Sequence, residues 1–296
     1  MSIVIVASFR PRVGRSLIAA ALAYRAGRDG RPVTLLRLEG DESAAADAGT
    51  FASFPELRSP GTAVRADDVK RIEGDAIVEV PAGSVGALAR EPGARVLAVM
   101  SAEDAPASAA NTDAPAAQVA GTIITNAAAR DVSALRGRQG VIAVLPEDRL
   151  LAAPSAEDVA AALRANWLVR SNHSEGIERV MIGTVASDAA SPYFAGRERK
   201  AVVTRYDKTD IQLAALLTDV ELLVLTGGGH PSPYLLDRVE GTRDDISVIL
   251  TDRDTPDAMR EIEGLYARSR FAGAAKLQRA VELMDEAGVS LFAGDP

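Results

Sequence analysis

Ile3-Val4-Ile5-Val6-Ala7-Ser8-Phe9-Arg10-Pro11-Arg12-Val13-Gly14-Arg15-Ser16-Leu17-Ile18-Ala19-Ala20-Ala21-Leu22 is the stretch that decides the fold. Its apolar start reads as a buried strand, its middle as a turn and its end as a helix. The helix therefore opens on a glycine, a cation and a serine. That is the layout of a phosphate-binding loop, G-x-x-x-x-G-K-[ST], with two departures. Phe9 stands where the first glycine belongs, and Arg15 replaces the lysine. A helix N-terminus leaves backbone N–H groups unpaired and carries partial positive charge, so phosphate oxygens settle there. Gly14 and Ser16 keep two of the loop's roles available. Arg15 keeps the charge but is planar and forked, so it is not a conservative replacement. Arg10 and Arg12 add charge, and Pro11 stiffens the turn. A plain turn joining strand to helix is the other reading of the same residues.

Working outward, 296 residues suggest two domains. Only 4% of residues are aromatic within a hydrophobic fraction of 47%, so alanine and aliphatic side chains must do the packing. A net charge of -8 argues against nucleic acid or an acidic membrane as partner. With no cysteine there is no disulfide, thiolate metal site or thiol nucleophile. The two histidines, His173 and His230, rule out a multi-histidine metal site. Neither a signal pattern nor a membrane-length apolar run is present, which predicts a cytoplasmic protein.

Aliphatic strands are expected at 3–7, 33–38, 76–80, 96–100, 121–125 and 141–145, with helices at 16–26, 43–53 and 155–165 between and after them. Their near-continuous apolar character predicts a parallel sheet covered on both faces. The Ala/Asp/Pro/Ser stretch 102–117 reads as a surface loop. Ser155 with Asp158 has the form of a capping box. After a crossover at 167–175, strands are expected at 180–185, 201–204, 222–225 and 247–250. The accompanying helices are expected at 210–217, 234–239, 256–266 and 274–287. The fold class is α/β throughout, with a parallel-sheet nucleotide-binding-type domain over 1–166 and a smaller α/β domain over 167–296.

Four segments carry a family resemblance: Val13-Gly14-Arg15-Ser16; Asp75-Ala76-Ile77-Val78-Glu79; Pro146-Glu147-Asp148-Arg149; and Asp207-Lys208 with Leu225-Thr226-Gly227-Gly228. The first part resembles the dethiobiotin-synthetase-like P-loop domain at the N-terminus of long bacterial phosphotransacetylases. The second resembles the DRTGG domain that follows it there. The acetyltransferase domain would follow Pro296, so acetyl transfer to phosphate is not expected of this polypeptide.

The resemblance implies ATP and Mg²⁺ as cofactors. Arg12, Val13, Gly14, Arg15, Ser16 and Asn126 would contact the nucleotide, and Ser16 and Glu79 would hold the metal. Against these stand a solvated strand-end carboxylate for Glu79 and an ordinary turn former for Asn126. In related ligases a substrate lysine follows the second strand. Arg37-Leu38 stands there, ahead of Asp41 and Asp47, so ligase chemistry loses both lysines.

In the second part, Thr226-Gly227-Gly228 follows an apolar strand, where glycine N–H groups can form an anion nest. Asp207, Lys208 and Asp210, with Asp254 and Thr255, follow neighbouring strands and are expected at the same sheet edge, the favoured ligand position in open α/β sheets. Helix caps are the plainer reading of Asp254 and Thr255. His230 reads as exposed, and no catalytic residue is assigned.

Three functions remain open on these grounds. The first is a non-catalytic regulatory or ligand-sensing protein that binds a nucleotide or small anion and acts through a homo-oligomer or a separately encoded enzyme. The second is an ATP/Mg-dependent ligase or synthetase, and the third a structural subunit of an enzyme complex.

Overall fold

The structure, a computed structural model, describes residues 2–85, 87–105, 119–171, 176–183, 192–242 and 245–289. Two compact units emerge: Met1–Asp148 with Lys276–Pro296, and Arg149–Ala275. The division falls at Asp148 rather than at the expected 166. Helix α6 (Ala156–Leu163, defined below) explains the shift, because its Val159 and Leu163 pack with Ala201, Leu222 and Ile249 of the second sheet.

The first unit holds β1 (Ile3–Ala7), β2 (Val33–Arg37), β3 (Asp75–Glu79), β4 (Ala94–Ser101), β5 (Val119–Ala127) and β6 (Val141–Pro146). All six pair in parallel, in the order β2-β3-β1-β4-β5-β6. The sequence supplies what a doubly covered parallel sheet needs, since every residue of β1 is buried. Its helices are α1 (Arg15–Arg28), α2 (Ala44–Ala52), α3 (Ala66–Val69) and α4 (Val132–Arg136).

Strand β1 lies between β3 and β4, where the chain reverses its direction of travel across the sheet. Such a reversal opens a crevice at the carboxyl ends of the strands. The loop from Ser8 to Gly14 leaves β1 at that point.

The second unit contains α5 (Arg149–Ala152), α6 (Ala156–Leu163), β7 (Asn166–Val169), β8 (Arg179–Ile182), β9 (Lys200–Arg205), α7 (Thr209–Leu216), β10 (Val220–Thr226), α8 (Pro233–Thr242), β11 (Ser247–Thr251) and α9 (Thr255–Glu263). A last helix, α10 (Ala274–Glu286), returns to the first unit, where Asp285 pairs with Arg25 and Arg28 of α1.

The second sheet runs β7-β11-β10-β9-β8. Strands β8 to β11 are mutually parallel, and β7 joins antiparallel to β11. Strand β7 occupies part of the expected crossover. Alternation makes it a strand, with Trp167 packing into the core on one face of the sheet and Leu168 into the core on the other. Residues 172–175, 184–185 and 106–117 of the expected crossover, strand and surface loop lie outside the described residues, as does His173.

The expected capping box is present. Ser155 accepts from the Asp158 N–H while the Asp158 carboxylate accepts from the Ser155 N–H. No described helix is long and apolar enough to cross a membrane.

Candidate functional site

The β1–α1 loop is closed from within. Arg15 is 8% exposed and Glu79 0% exposed, and the two meet inside the protein. Arg15 Nε donates to Glu79 Oε1 at 2.8 Å, and Arg15 Nη1 donates to Ser8 Oγ at 2.8 Å. Ser8 in turn donates to the Arg10 carbonyl at 2.7 Å, which folds the loop back on its own cation. Ser16 Oγ donates to the same Glu79 Oε1 at 2.8 Å. Thr125 Oγ1 of β5 donates to the Val13 carbonyl at 2.8 Å and pins the loop to the sheet. Gly14 caps α1 with φ 83 and Arg12 has φ 61, so the turn uses two left-handed residues.

Behind this triad lies a second buried guanidinium. Arg37, 0% exposed, comes within 3.7 Å of Glu79 Oε2. Its Nη2 reaches both Asp41 oxygens at 2.6 Å, its Nε reaches Asp47 at 3.3 Å, and its Nη1 donates to the Leu38 carbonyl at 2.6 Å. Burial pushes the Glu79 carboxyl up, and the Arg15 and Arg37 charges counter that push only in part. Asp41 behaves oppositely. Burial raises it, but hydrogen bonds from Arg37 and Ser43 outweigh that and hold it below the ordinary carboxylate range.

The structure thus brings two of the expected residues, Arg15 and Ser16, onto Glu79, while the Val13 carbonyl is held by Thr125 and Gly14 caps α1. The Glu79 carboxylate is buried, not solvated. Asn126 lies apart from that network: it is exposed at φ 55, a left-handed position that asparagine tolerates, and its amide makes no hydrogen bond among the described residues. Arg12 is exposed and, among the described residues, unpaired, whereas Arg10 pairs with Asp104 at 2.7 Å.

These residues do not fit Mg²⁺. An ion on Ser16 and Glu79 would share one carboxylate with two guanidinium groups already within 4 Å of it, and like charges in a dry site repel strongly. No group of three metal-ligating side chains exists among the described residues.

In the second unit the ends of β9, β10 and β11 bind one another. Thr226 and Thr255 hydroxyls are 2.8 Å apart, and Thr226 also donates to the Thr204 carbonyl. The Gly227 N–H is committed to the Arg253 carbonyl at 2.9 Å and that of Gly228 to the Thr251 carbonyl at 3.1 Å. The anticipated anion nest is therefore closed at both residues. Close approach explains the glycines instead, because a Cβ at Gly228 would strike Asp252 and one at Gly229 the Tyr206 ring.

Asp254 caps α9 by accepting from the Asp257 N–H at 2.8 Å. Asp207 is exposed and chelated by Arg205, whose hydrogen bonds hold its carboxyl low. Lys208 precedes α7 without capping it, Asp210 is exposed in its first turn, and His230 is exposed.

Sequence reasoning passed over Ser8, Arg37 as a buried anchor, and Tyr206. The only signal available was a cation and two acids, Arg37, Asp41 and Asp47, close in sequence.

The DRTGG domain family model matches residues 158–265, so the C-terminal part of this α/β chain carries a DRTGG domain. Among solved structures, the chain is similar to the CBS and DRTGG domains of the regulatory region of Clostridium perfringens pyrophosphatase, complexed with its activator diadenosine tetraphosphate. The identity is 19% and the TM-score 0.36, over 49% of this chain and 66% of that one, just under two thirds of its length.

Proposed function

We propose that this chain is a non-catalytic regulatory protein that binds a nucleotide or another small anion and acts through oligomer or partner contacts. The observation that carries the reading is the Arg15–Glu79–Ser16 closure. A phosphate-transferring loop needs a cation free to reach the terminal phosphates and a hydroxyl free for the metal. Here both groups are bonded to one buried carboxylate. A ligase of the dethiobiotin-synthetase type would have to break those bonds and leave a buried charge unpaired at every turnover. The DRTGG domain over 158–265 supports assigning the ligand-sensing part to the second unit.

Calorimetry with ATP and ADP, with and without Mg²⁺, tests the proposal alongside an ATP-turnover assay on candidate carboxylate substrates. Binding that does not need Mg²⁺, without turnover, is the expected result. Mg²⁺-dependent ATP cleavage that Ser16→Ala abolishes would replace it with the ligase reading. No binding of any nucleotide or small anion would leave a structural subunit.

A further inference from the structure

An open cleft of about 840 Å³ runs along β8, the free edge of the second sheet, in the size range of small-ligand sites. Arg149, Arg179, Tyr193, Arg197 and Glu263 are among the residues that line it, with Arg179 on the strand itself. None of the rim residues Asp207, Thr226, Gly228 or Thr255 takes part.

The cleft carries three guanidinium groups against two carboxylates, Glu178 and Glu263. Among the described residues, no carboxylate lies within 4.0 Å of Arg149, Arg179 or Arg197. Glu178, which also faces the cleft, is engaged by Arg199 at 3.6 Å. Arg197 Nη1 donates only to the neighbouring Gly196 carbonyl at 3.2 Å, and three guanidinium groups without a carboxylate partner around one concavity are a match for phosphate oxygens, which the planar fork binds in pairs.

The cleft also offers a flat apolar surface. Tyr193 is 46% exposed, yet the next residue, Phe194, is fully buried and their rings lie 5.4 Å apart. Both belong to the helical turn 192–195, and Tyr193 lines the cleft. Tyr266 forms the floor, its hydroxyl donating to the Ile177 carbonyl at 2.7 Å. An exposed, held aromatic ring is a stacking platform for a nucleobase.

We infer that the β8 cleft binds a nucleoside polyphosphate, with its phosphates on Arg149, Arg179 and Arg197 and its base against Tyr193. This rests on the ligand-sensing reading above and gives it a place and a ligand class. A free polyphosphate shares the phosphate chemistry but has nothing for Tyr193 to hold.

The test is calorimetry on the full chain with ATP, adenosine and inorganic tripolyphosphate, without Mg²⁺. ATP is expected to bind more tightly than tripolyphosphate, and adenosine most weakly. Arg197→Gln, an exposed change, should weaken ATP and tripolyphosphate alike by tenfold or more. Tyr193→Ala should weaken ATP by about tenfold and leave tripolyphosphate unchanged. Arg130→Ala, an exposed residue of the first unit, should change nothing. Unchanged melting temperatures for the variants separate lost binding from lost folding, and Arg179→Gln gives a second arm should Tyr193→Ala unfold. ATP binding that survives Arg197→Gln and Arg179→Gln but is lost in Arg12→Ala or Lys208→Ala would overturn the cleft while leaving a ligand sensor. Tripolyphosphate binding as tightly as ATP would overturn the nucleoside assignment. Failure of all three probes overturns the inference, and further failure of organic and inorganic anions would remove the sensor reading too.

Discussion

Arg15 Nε donates to Glu79 Oε1 at 2.8 Å, and Glu79 has no exposed surface. The cation that opens α1 and the carboxylate that ends β3 thus neutralise each other inside the first unit. Ser16 and Arg37 converge on the same carboxylate, Arg37 while also bound to Asp41 and Asp47. Removing that charge affects more than one contact.

Glu79→Leu removes both carboxylate oxygens, leaving the Arg15 guanidinium and the Ser16 hydroxyl without their buried acceptor. Such a loss costs about 3–5 kcal/mol. Urea denaturation of the variant should show a midpoint lowered to match. A cost below about 1 kcal/mol would mean that the network contributes little to the fold.

The two carboxylates around Arg37 shift in opposite directions, so they act at opposite ends of the acid range. Asp41 is held below its ordinary 3.8 despite burial, so its stabilisation is complete above that value and is lost as pH falls through the lowered one. Glu79 is held above its ordinary 4.5 by burial, so the native state keeps that proton longer and its contribution fades as pH rises through the raised value. Melting temperatures across pH should show a shallower acid-side fall in Asp41→Asn. In Glu79→Gln the decline above pH 4.5 should disappear.

The first unit was legible because its strands are nearly continuous aliphatic runs, and the glycine, cation and serine after β1 stand at a strand-to-helix turn. What the sequence could not convey is where charges point. Arg15 at the lysine position of a phosphate-binding loop reads as a cation offered to a ligand, yet only Glu79, sixty-four residues on, decides that it turns inward. The glycines at 227–229 read as an anion nest for a similar reason. Their N–H partners, the Thr251 carbonyl at the end of β11 and the Arg253 carbonyl beyond it, and the Tyr206 ring are distant in sequence. Strand β7 was hidden because four residues ending a helix-rich stretch carry little periodicity. The β8 cleft was hidden because Arg149, Arg179, Tyr193 and Arg197 come from separate elements.

Gly229 and Tyr206 should be energetically coupled, because a Cβ on the glycine meets the ring. Gly229→Ala should cost about 1–3 kcal/mol by overpacking. In a Tyr206→Ala background the same change should cost markedly less, and a double-mutant cycle reads the difference. Strict additivity would show that the ring is free to move aside.

Tyr266 is pushed up to about 12, chiefly by burial, against an ordinary value of 10.0. Because the native state holds this proton more tightly, its stabilisation is complete below pH 10.0 and is lost as pH rises toward 12. Ultraviolet titration of the native protein should show a late phenolate step that Tyr266→Phe removes. The variant also loses the bond to Ile177, at about 0.5–1.5 kcal/mol.

The central claim is that this chain recognises a phosphate-bearing ligand without performing phosphate chemistry. Titrating ATP into the full chain by calorimetry in the presence and absence of Mg²⁺, with released phosphate followed in the same samples, tests it most directly. Equal affinity in both conditions and no phosphate released are the expected results. Tighter binding with Mg²⁺ accompanied by phosphate release, both lost in Ser16→Ala, would contradict it.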